Sequence, residues 1–125
     1  VKEGDAGPCL AHWDNDGKLD LLVGSGSGEV LLFRNRGSAQ QPDWKEPETL
    51  VAAYPKTENK SAEDKRAEVK NVARSCKRSK VAVADWNGDG RPDLLVGDFI
   101  SAPEREYHGW VWVYLRRTTQ TVATE

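Results

Sequence analysis

The chain has 125 residues, a mass of 13.9 kDa and a formal net charge of −2. That is enough for one domain and too little for two independent ones of ordinary size. Charged residues make up 30% and the AVILMFWYC set 38%, with 11 Gly and 5 Trp but no Met; this balance suits short strands joined by tight turns better than a helical bundle. No apolar run approaches the roughly 20 residues that a membrane-spanning helix needs. The opening VKEGDAGPCL also lacks the basic-then-apolar pattern of a secretion signal.

Taken in chain order, Pro8–Ala11 reads as a short strand that enters an Asp-rich turn. Leu21–Val23 is a second short apolar run, stopped by Gly24. The glycines at 24, 26 and 28 suit a tight hairpin, because Gly reaches positive φ at little steric cost. Gly-Ser-Gly-Ser-Gly has neither phosphate-loop spacing, and no helical pattern follows it, so a phosphate site is rejected. Val30 and Leu32 then alternate with bulky neighbours in another strand. Residues 37–60 contain Pro42, Pro47 and Pro55, with Trp44 and Leu50–Val51 as candidate strand or anchor positions. The pattern of residues 61–75 predicts a short helix, capped by Ser61 with Asp64 three positions on. Lys80–Ala84, Leu94–Val96 and the stretch from Gly109 complete a second set of strands.

Charge is unevenly spread: residues 56–80 carry nine Lys/Arg against four Asp/Glu, and the rest of the chain is acidic. The basic stretch reads as a solvated face, and no nucleic-acid partner is expected. Cys9 and Cys76 are too few for a tetrahedral zinc site. They are either a disulfide or two free thiols.

The second set of strands repeats the first. HWDNDGKLDLLVG at 12–24 recurs as DWNGDGRPDLLVG at 85–97, with Asp16 returning as Asp89, 73 positions on. The strand from Gly28 recurs from Gly109, 81 positions on, so the second copy holds eight extra residues between its strands. The chain therefore divides into a first unit at 1–60, an inserted helix or linker at 61–79 and a second unit at 80–125.

The Asp-rich turns carry the chemistry. Asp85, Asn87, Asp89 and Asp93 take loop positions 1, 3, 5 and 9, with Gly90 at position 6 and the Arg91 carbonyl at position 7. Oxygens at alternate positions can curl around a hard cation such as Ca2+, which wants six to eight of them, and Gly permits the sharp reversal. An EF-hand is excluded, because its position 12 is a bidentate Glu before a helix; here it is Val96, within a strand-like run. In the first copy Asp14, Asp16 and Asp20 keep positions 3, 5 and 9, Gly17 keeps position 6 and the Lys18 carbonyl keeps position 7. Position 1 is His12, a poor calcium ligand and a better one for transition metals. Either this loop holds Ca2+ weakly, with water in place of the missing carboxylate, or His12 faces elsewhere. Asp, Asn and Gly also form self-satisfied turns without metal, but acids crowded twice at matched places favour a cation.

D-W-N-G-D-G-R-P-D-L-L-V-G followed by G-W-V-W-V-Y resembles the FG-GAP/VCBS repeat, the blade unit of integrin-α-like β-propellers, over roughly residues 8–36 and 80–117. The resemblance implies an all-β fold of four-stranded antiparallel blades around an axis. It implies calcium ligands at Asp85, Asn87, Asp89, Arg91 (carbonyl) and Asp93, and at Asp14, Asp16, Lys18 (carbonyl) and Asp20. His12 departs from the family's Asp. The wording also resembles large bacterial secreted repeat proteins, which implies an extracellular, periplasmic or surface location.

A propeller closes with about four to eight blades, and this chain has two units. It is expected to be part of a longer propeller or to self-assemble into a ring, ahead of a compact two-unit domain. Its expected function is a non-enzymatic, calcium-stabilised repeat domain for adhesion, with an extracellular protein or glycan as partner. A carbohydrate-binding module using Trp110, Trp112, Tyr107 and His108 is the alternative. Trp110 and Trp112 share a strand face, which points first to packing. No Ser/His/Asp or Cys/His arrangement can be placed, so no catalytic residue is assigned.

Overall fold

The computed structural model describes residues 4–53, 77–101 and 107–117. Seven strands form two antiparallel sheets: β1 (Gly7–Ala11), β2 (Asp20–Gly24), β3 (Val30–Phe33) and β4 (Glu48–Val51) in one, β5 (Lys77–Ala84), β6 (Asp93–Ser101) and β7 (Tyr107–Tyr114) in the other. Each sheet is a simple meander, in the order β1-β2-β3-β4 and β5-β6-β7. The fold is all-β; no helix occurs among the described residues, and the helix expected at 61–75 lies outside them. A four-stranded first sheet matches the expectation. The second has three strands among the described residues, with β7 at its edge.

The repeat holds to the residue. Cys9 pairs with Leu22 and Leu22 with Leu32; the equivalents Ala82, Leu95 and Val113 pair in the same way. Leu21 faces Phe33 as Leu94 faces Tyr114. Even an unusual backbone feature recurs, since Asp5 and Arg78, 73 positions apart, both adopt positive φ, of 54° and 57°. The second copy departs in one respect. Its extra residues lengthen the β6–β7 hairpin, so the ladder runs past Gly97 to pair Asp98 with Trp110 and Ser101 with Tyr107. β5 likewise begins at Lys77, three residues before the strand expected from the sequence, and carries a bulge between Lys77 and Lys80.

The core lies between the sheets. Cross-strand partners share a face, so Cys9, Ala11, Leu22, Val30 and Leu32 project from one side of the first sheet. They meet Val81, Val83, Leu94, Val96 and Trp112 from the opposite side of the second. Leu22, Leu32, Val30 and Val96 are fully buried, each contributing roughly 1.5–3 kcal/mol. Trp44 anchors the Pro-containing connection by bridging to Asn35, and Leu50 and Val51 on β4 pack against the core.

The Gly24–Gly28 turn stitches the units together. The bulge frees two N–H groups of β5 from their own ladder: Ser79 N–H donates to the Ser25 carbonyl at 3.0 Å and Arg78 N–H to the Gly26 carbonyl at 3.1 Å. The Ser79 hydroxyl donates to the Gly28 carbonyl at 3.0 Å, and the Ser25 and Ser27 hydroxyls bond each other at 2.8 Å. Backbone approaches backbone so closely that a Cβ at Gly24 would run into the Ser79 carbonyl. Asp5 adds ion pairs to Lys80 at 3.0 Å and Arg78 at 3.3 Å, half-exposed contacts of modest worth. Substituting Gly24→Ala forces the sheets apart, and urea denaturation should record a loss of about 1–3 kcal/mol.

Candidate metal centre

Both Asp-rich loops are hairpin turns between strands: residues 12–19 join β1 to β2, and 85–92 join β5 to β6. Position 6 is left-handed in each, Gly17 at φ 82° and Gly90 at φ 83°. So is position 4, Asn15 at 59° and Gly88 at 75°. Asn tolerates this region better than most residues with a Cβ, so the two loops share one backbone path despite the change.

Loop two winds around Asp85. Its Oδ1 accepts the N–H groups of Gly88 and Asp89 at 2.7 and 3.0 Å, and its Oδ2 accepts that of Gly90 at 2.8 Å. Asn87 Oδ1 takes the Asp89 N–H at 3.1 Å, and Asp89 Oδ1 the Arg91 N–H at 2.9 Å. Asp89 Oδ2 receives the Asn87 amide and an Arg91 guanidinium N–H, each at 3.2 Å. Partial desolvation works to raise the Asp89 pKa, but the Arg91 N–H, the Asn87 amide and the Arg91 charge outweigh it, and the carboxyl sits below its ordinary value.

Asp93, at position 9, has a different setting. It is fully buried, with Oδ2 accepting the Trp86 N–H at 3.0 Å and Oδ1 the Arg116 N–H at 2.8 Å. One carboxylate thereby ties the start of the loop to the end of β7. Beside it lies an open recess of about 600 Å³, lined by Asn87, Asp89, Arg91, Leu115 and Arg116 among others.

Loop one keeps half of this clasp. Asp20 is buried and its Oδ1 accepts the Asn35 N–H at 2.8 Å, the counterpart of the Arg116 bond. Its Oδ2 is buried with no hydrogen-bond partner. The reason is local: the Trp13 N–H, the counterpart of Trp86 N–H, turns back to the Ala11 carbonyl at 3.0 Å. The two tryptophans part company accordingly. Trp13 is buried in the core and Trp86 is 63% exposed.

Position 1 also differs. His12 is exposed, and its Nδ1 lies 3.0 Å from the Lys18 carbonyl; a carbonyl only accepts, so the proton sits on Nδ1. The groups at positions 1 and 7 thus bond each other. The Lys18 ammonium, together with the Lys18 N–H, holds the Asp16 carboxyl below its ordinary value. Asp14 Oδ2 pairs with Arg34 at 3.1 Å, and Arg34 also reaches Glu48 on β4 at 3.2 Å. The second unit has Leu115 in Arg34's place.

Each expected set of residues lies on one hairpin, with Asp20 and Asp93 at the first positions of β2 and β6 and the others in the turns before them. Their oxygens are occupied by loop N–H groups and by Arg and Lys side chains, and no three His, Cys, Asp or Glu among the described residues form a ready metal-holding cluster. The residues nevertheless fit a hard cation: every donor except His12 is an oxygen, Asp85 Oδ2, Asp89 Oδ1 and both oxygens of Asp93 accept one loop or strand N–H each and so keep a second lone pair, and buried Asp20 Oδ2 has nothing to accept from. Sequence reasoning missed Arg34 and Arg116. Arg116 crosses between units, its guanidinium 4.8 Å from the Trp13 ring centre and donating to the Trp13 carbonyl.

The aromatic platform considered from the sequence is not assembled from Trp112. That ring packs on the core, and its Nε1–H donates to Asp98 at 3.2 Å. The Tyr107 and His108 side chains lie outside the described set. Cys9 is a free thiol, and Cys76 is outside the described residues.

Two meander sheets stacked face to face, each opening on an Asp-rich hairpin, define a protein built from tandem blade-type repeats. The FG-GAP-like repeat model matches residues 12–96, more than half of the chain, and the protein belongs to that family. No curated protein and no solved structure gives a significant match. FG-GAP repeats are generally non-catalytic interaction modules, and no helix among the described residues is long and apolar enough to cross a membrane.

The clasp itself does not need a cation. Asp93→Ala strands the Trp86 and Arg116 N–H groups, and thermal or urea unfolding in excess chelator should show a loss of about 1–3 kcal/mol.

Proposed function

We propose that the chain is a calcium-stabilised, non-enzymatic repeat module of an extracellular protein, serving adhesion or interaction with a protein or glycan ligand. The observation that carries the calcium reading is the same oxygen-donor pattern built twice on one backbone path. In loop two, the Asp85, Asn87, Asp89 and Asp93 side chains and the Arg91 carbonyl would hold the ion. In loop one, the corresponding groups are Asp14, Asp16, Asp20 and the Lys18 carbonyl, with Asp20 Oδ2 as the buried acceptor a cation would satisfy. His12 holds the carbonyl here and adds no carboxylate, which makes loop one the weaker site.

Bound Ca2+ supplies a cross-link: it replaces dispersed hydrogen bonds with one centre shared by the two ends of the hairpin. Extracellular calcium modules work at a Kd of about 10⁻⁴–10⁻³ M, a range that suits exposed loops of this kind. The non-enzymatic reading is supported by the family and by acids engaged with their own backbone N–H groups.

Calorimetric titration of the chelator-treated chain tests this. Two binding events of unequal affinity are expected; Asp85→Ala removes the tighter and Asp14→Ala the weaker. His12→Asp strengthens the weaker event. At Ca2+ about 100 times Kd the fold should gain roughly 2.7 kcal/mol, seen as a raised Tm. That concentration is about 10–100 mM for a Kd in this range, and an unchanged Tm there overturns the reading.

A further inference from the structure

The two Asp-rich hairpins differ at a matched pair of positions. Loop position 3 is Asp14 in the first unit and Asn87 in the second. The first residue past β3 is Arg34, and the first past β7 is its counterpart Leu115. The two positions change together: a carboxylate goes with a guanidinium, an amide with an apolar side chain. In both loops the position-7 cation pairs with the position-5 acid, Lys18 with Asp16 and Arg91 with Asp89. Loop one alone adds a second cation, at position 3.

Arg34 is held from two sides. Its Nε and Nη2 donate to Glu48 Oε2 on β4 at 3.3 and 3.2 Å, and its Nη1 donates to Asp14 Oδ2 at 3.1 Å. Asp14 Oδ1 accepts the Asp16 N–H at 3.3 Å. Glu48 thus aims the guanidinium, and one N–H makes the link to the loop. The Arg34 and Asp14 side chains are only 29% and 30% exposed, so solvent and salt screen this pair less than a fully exposed one. In loop two the position-3 amide turns inward instead, Asn87 Nδ2 donating to Asp89 Oδ2 at 3.2 Å.

We propose that Arg34 is a tethered counter-cation, which neutralises Asp14 in the metal-free hairpin and sets the Ca2+ affinity of loop one by competing for that carboxylate. The second role rests on the calcium reading proposed above. A divalent ion entering loop one meets a fixed positive charge on one of its ligands, and takes Asp14 Oδ2 from Arg34 only by breaking the Nη1 bond. Arg34 keeps both bonds to Glu48 when it does, so the guanidinium stays near the loop and its repulsion persists. Buried Asp20 Oδ2 has no hydrogen-bond partner, an acceptor that the arginine leaves unsatisfied. The hairpin is held by its own cation and still open to another. Arg34 differs in this from His12, which withholds a carboxylate; Arg34 leaves the ligand in place and occupies it.

Calorimetric Ca2+ titration of the whole chain, paired with thermal unfolding in chelator, tests the proposal. Arg34→Leu installs the second unit's residue and should tighten the weaker binding event roughly three- to tenfold, leaving the tighter event unchanged. The same variant should lower Tm in chelator by about 1–5 °C. Arg34→Lys keeps the charge and should stay close to wild type in both measurements. High salt should shrink the affinity gain of Arg34→Leu, because screening acts on charge and not on shape. Arg34→Gln, of similar length and uncharged, takes its place if Arg34→Leu fails to fold. A merely structural residue would lose Ca2+ affinity and stability together. A weaker event that is unchanged or loosened, beside an intact tighter one, therefore overturns the proposal and leaves the calcium reading standing. A raised Tm in chelator overturns it too, and absence of binding at either loop in every variant overturns both.

Discussion

A sheet that is apolar on both faces cannot stand alone in water, and this constraint governs the molecule. Two such sheets can cover only one face each. The fold obtains its core by laying one unit on the next, with Leu22, Val30 and Leu32 against Leu94 and Val96. All else serves that stacking. The glycine turn admits the neighbouring backbone, the bulge of β5 lends it N–H groups, and the buried Asp20 and Asp93 tie the starts of β2 and β6 to the chain just past β3 and β7.

Much of this is written locally. The five-position loops, the LLVG strands after them and the alternating strands beyond can be read from short-range spacing, and the shared offset already implies a shared register. The role of Trp44 and of Leu50–Val51 as anchors is legible for the same reason. What escapes reading is set by contacts distant in sequence. Gly97 reads as a strand end because Gly24 is one, yet the strand continues, since the longer hairpin supplies Trp110 and Gly109 as partners. Lys77–Ser79 reads as the end of an inserted helix or linker; it becomes strand, and Ser25 and Gly26 of the other unit accept the Ser79 and Arg78 N–H groups.

The site shows the same division. Ligand positions follow from spacing, whereas their electrostatic surroundings do not. Nothing near His12 in sequence announces that its ring bonds the Lys18 carbonyl, or that Arg34 neutralises Asp14 from a different strand. Trp13 and Trp86 occupy matched positions in nearly matched loops, and one is core while the other is surface. Identity of sequence fixed their loop position, but the environment depends on which unit has a neighbour on that side.

Arg116 joins what the repeats would otherwise keep apart. Its backbone N–H is gripped by Asp93 at the root of loop two, and its guanidinium lies on the Trp13 ring and carbonyl in loop one. The two hairpins are thus links of a single tether, and strain placed on one is carried to the other through three residues. In a stack of such units, stiffness is a property of the whole row.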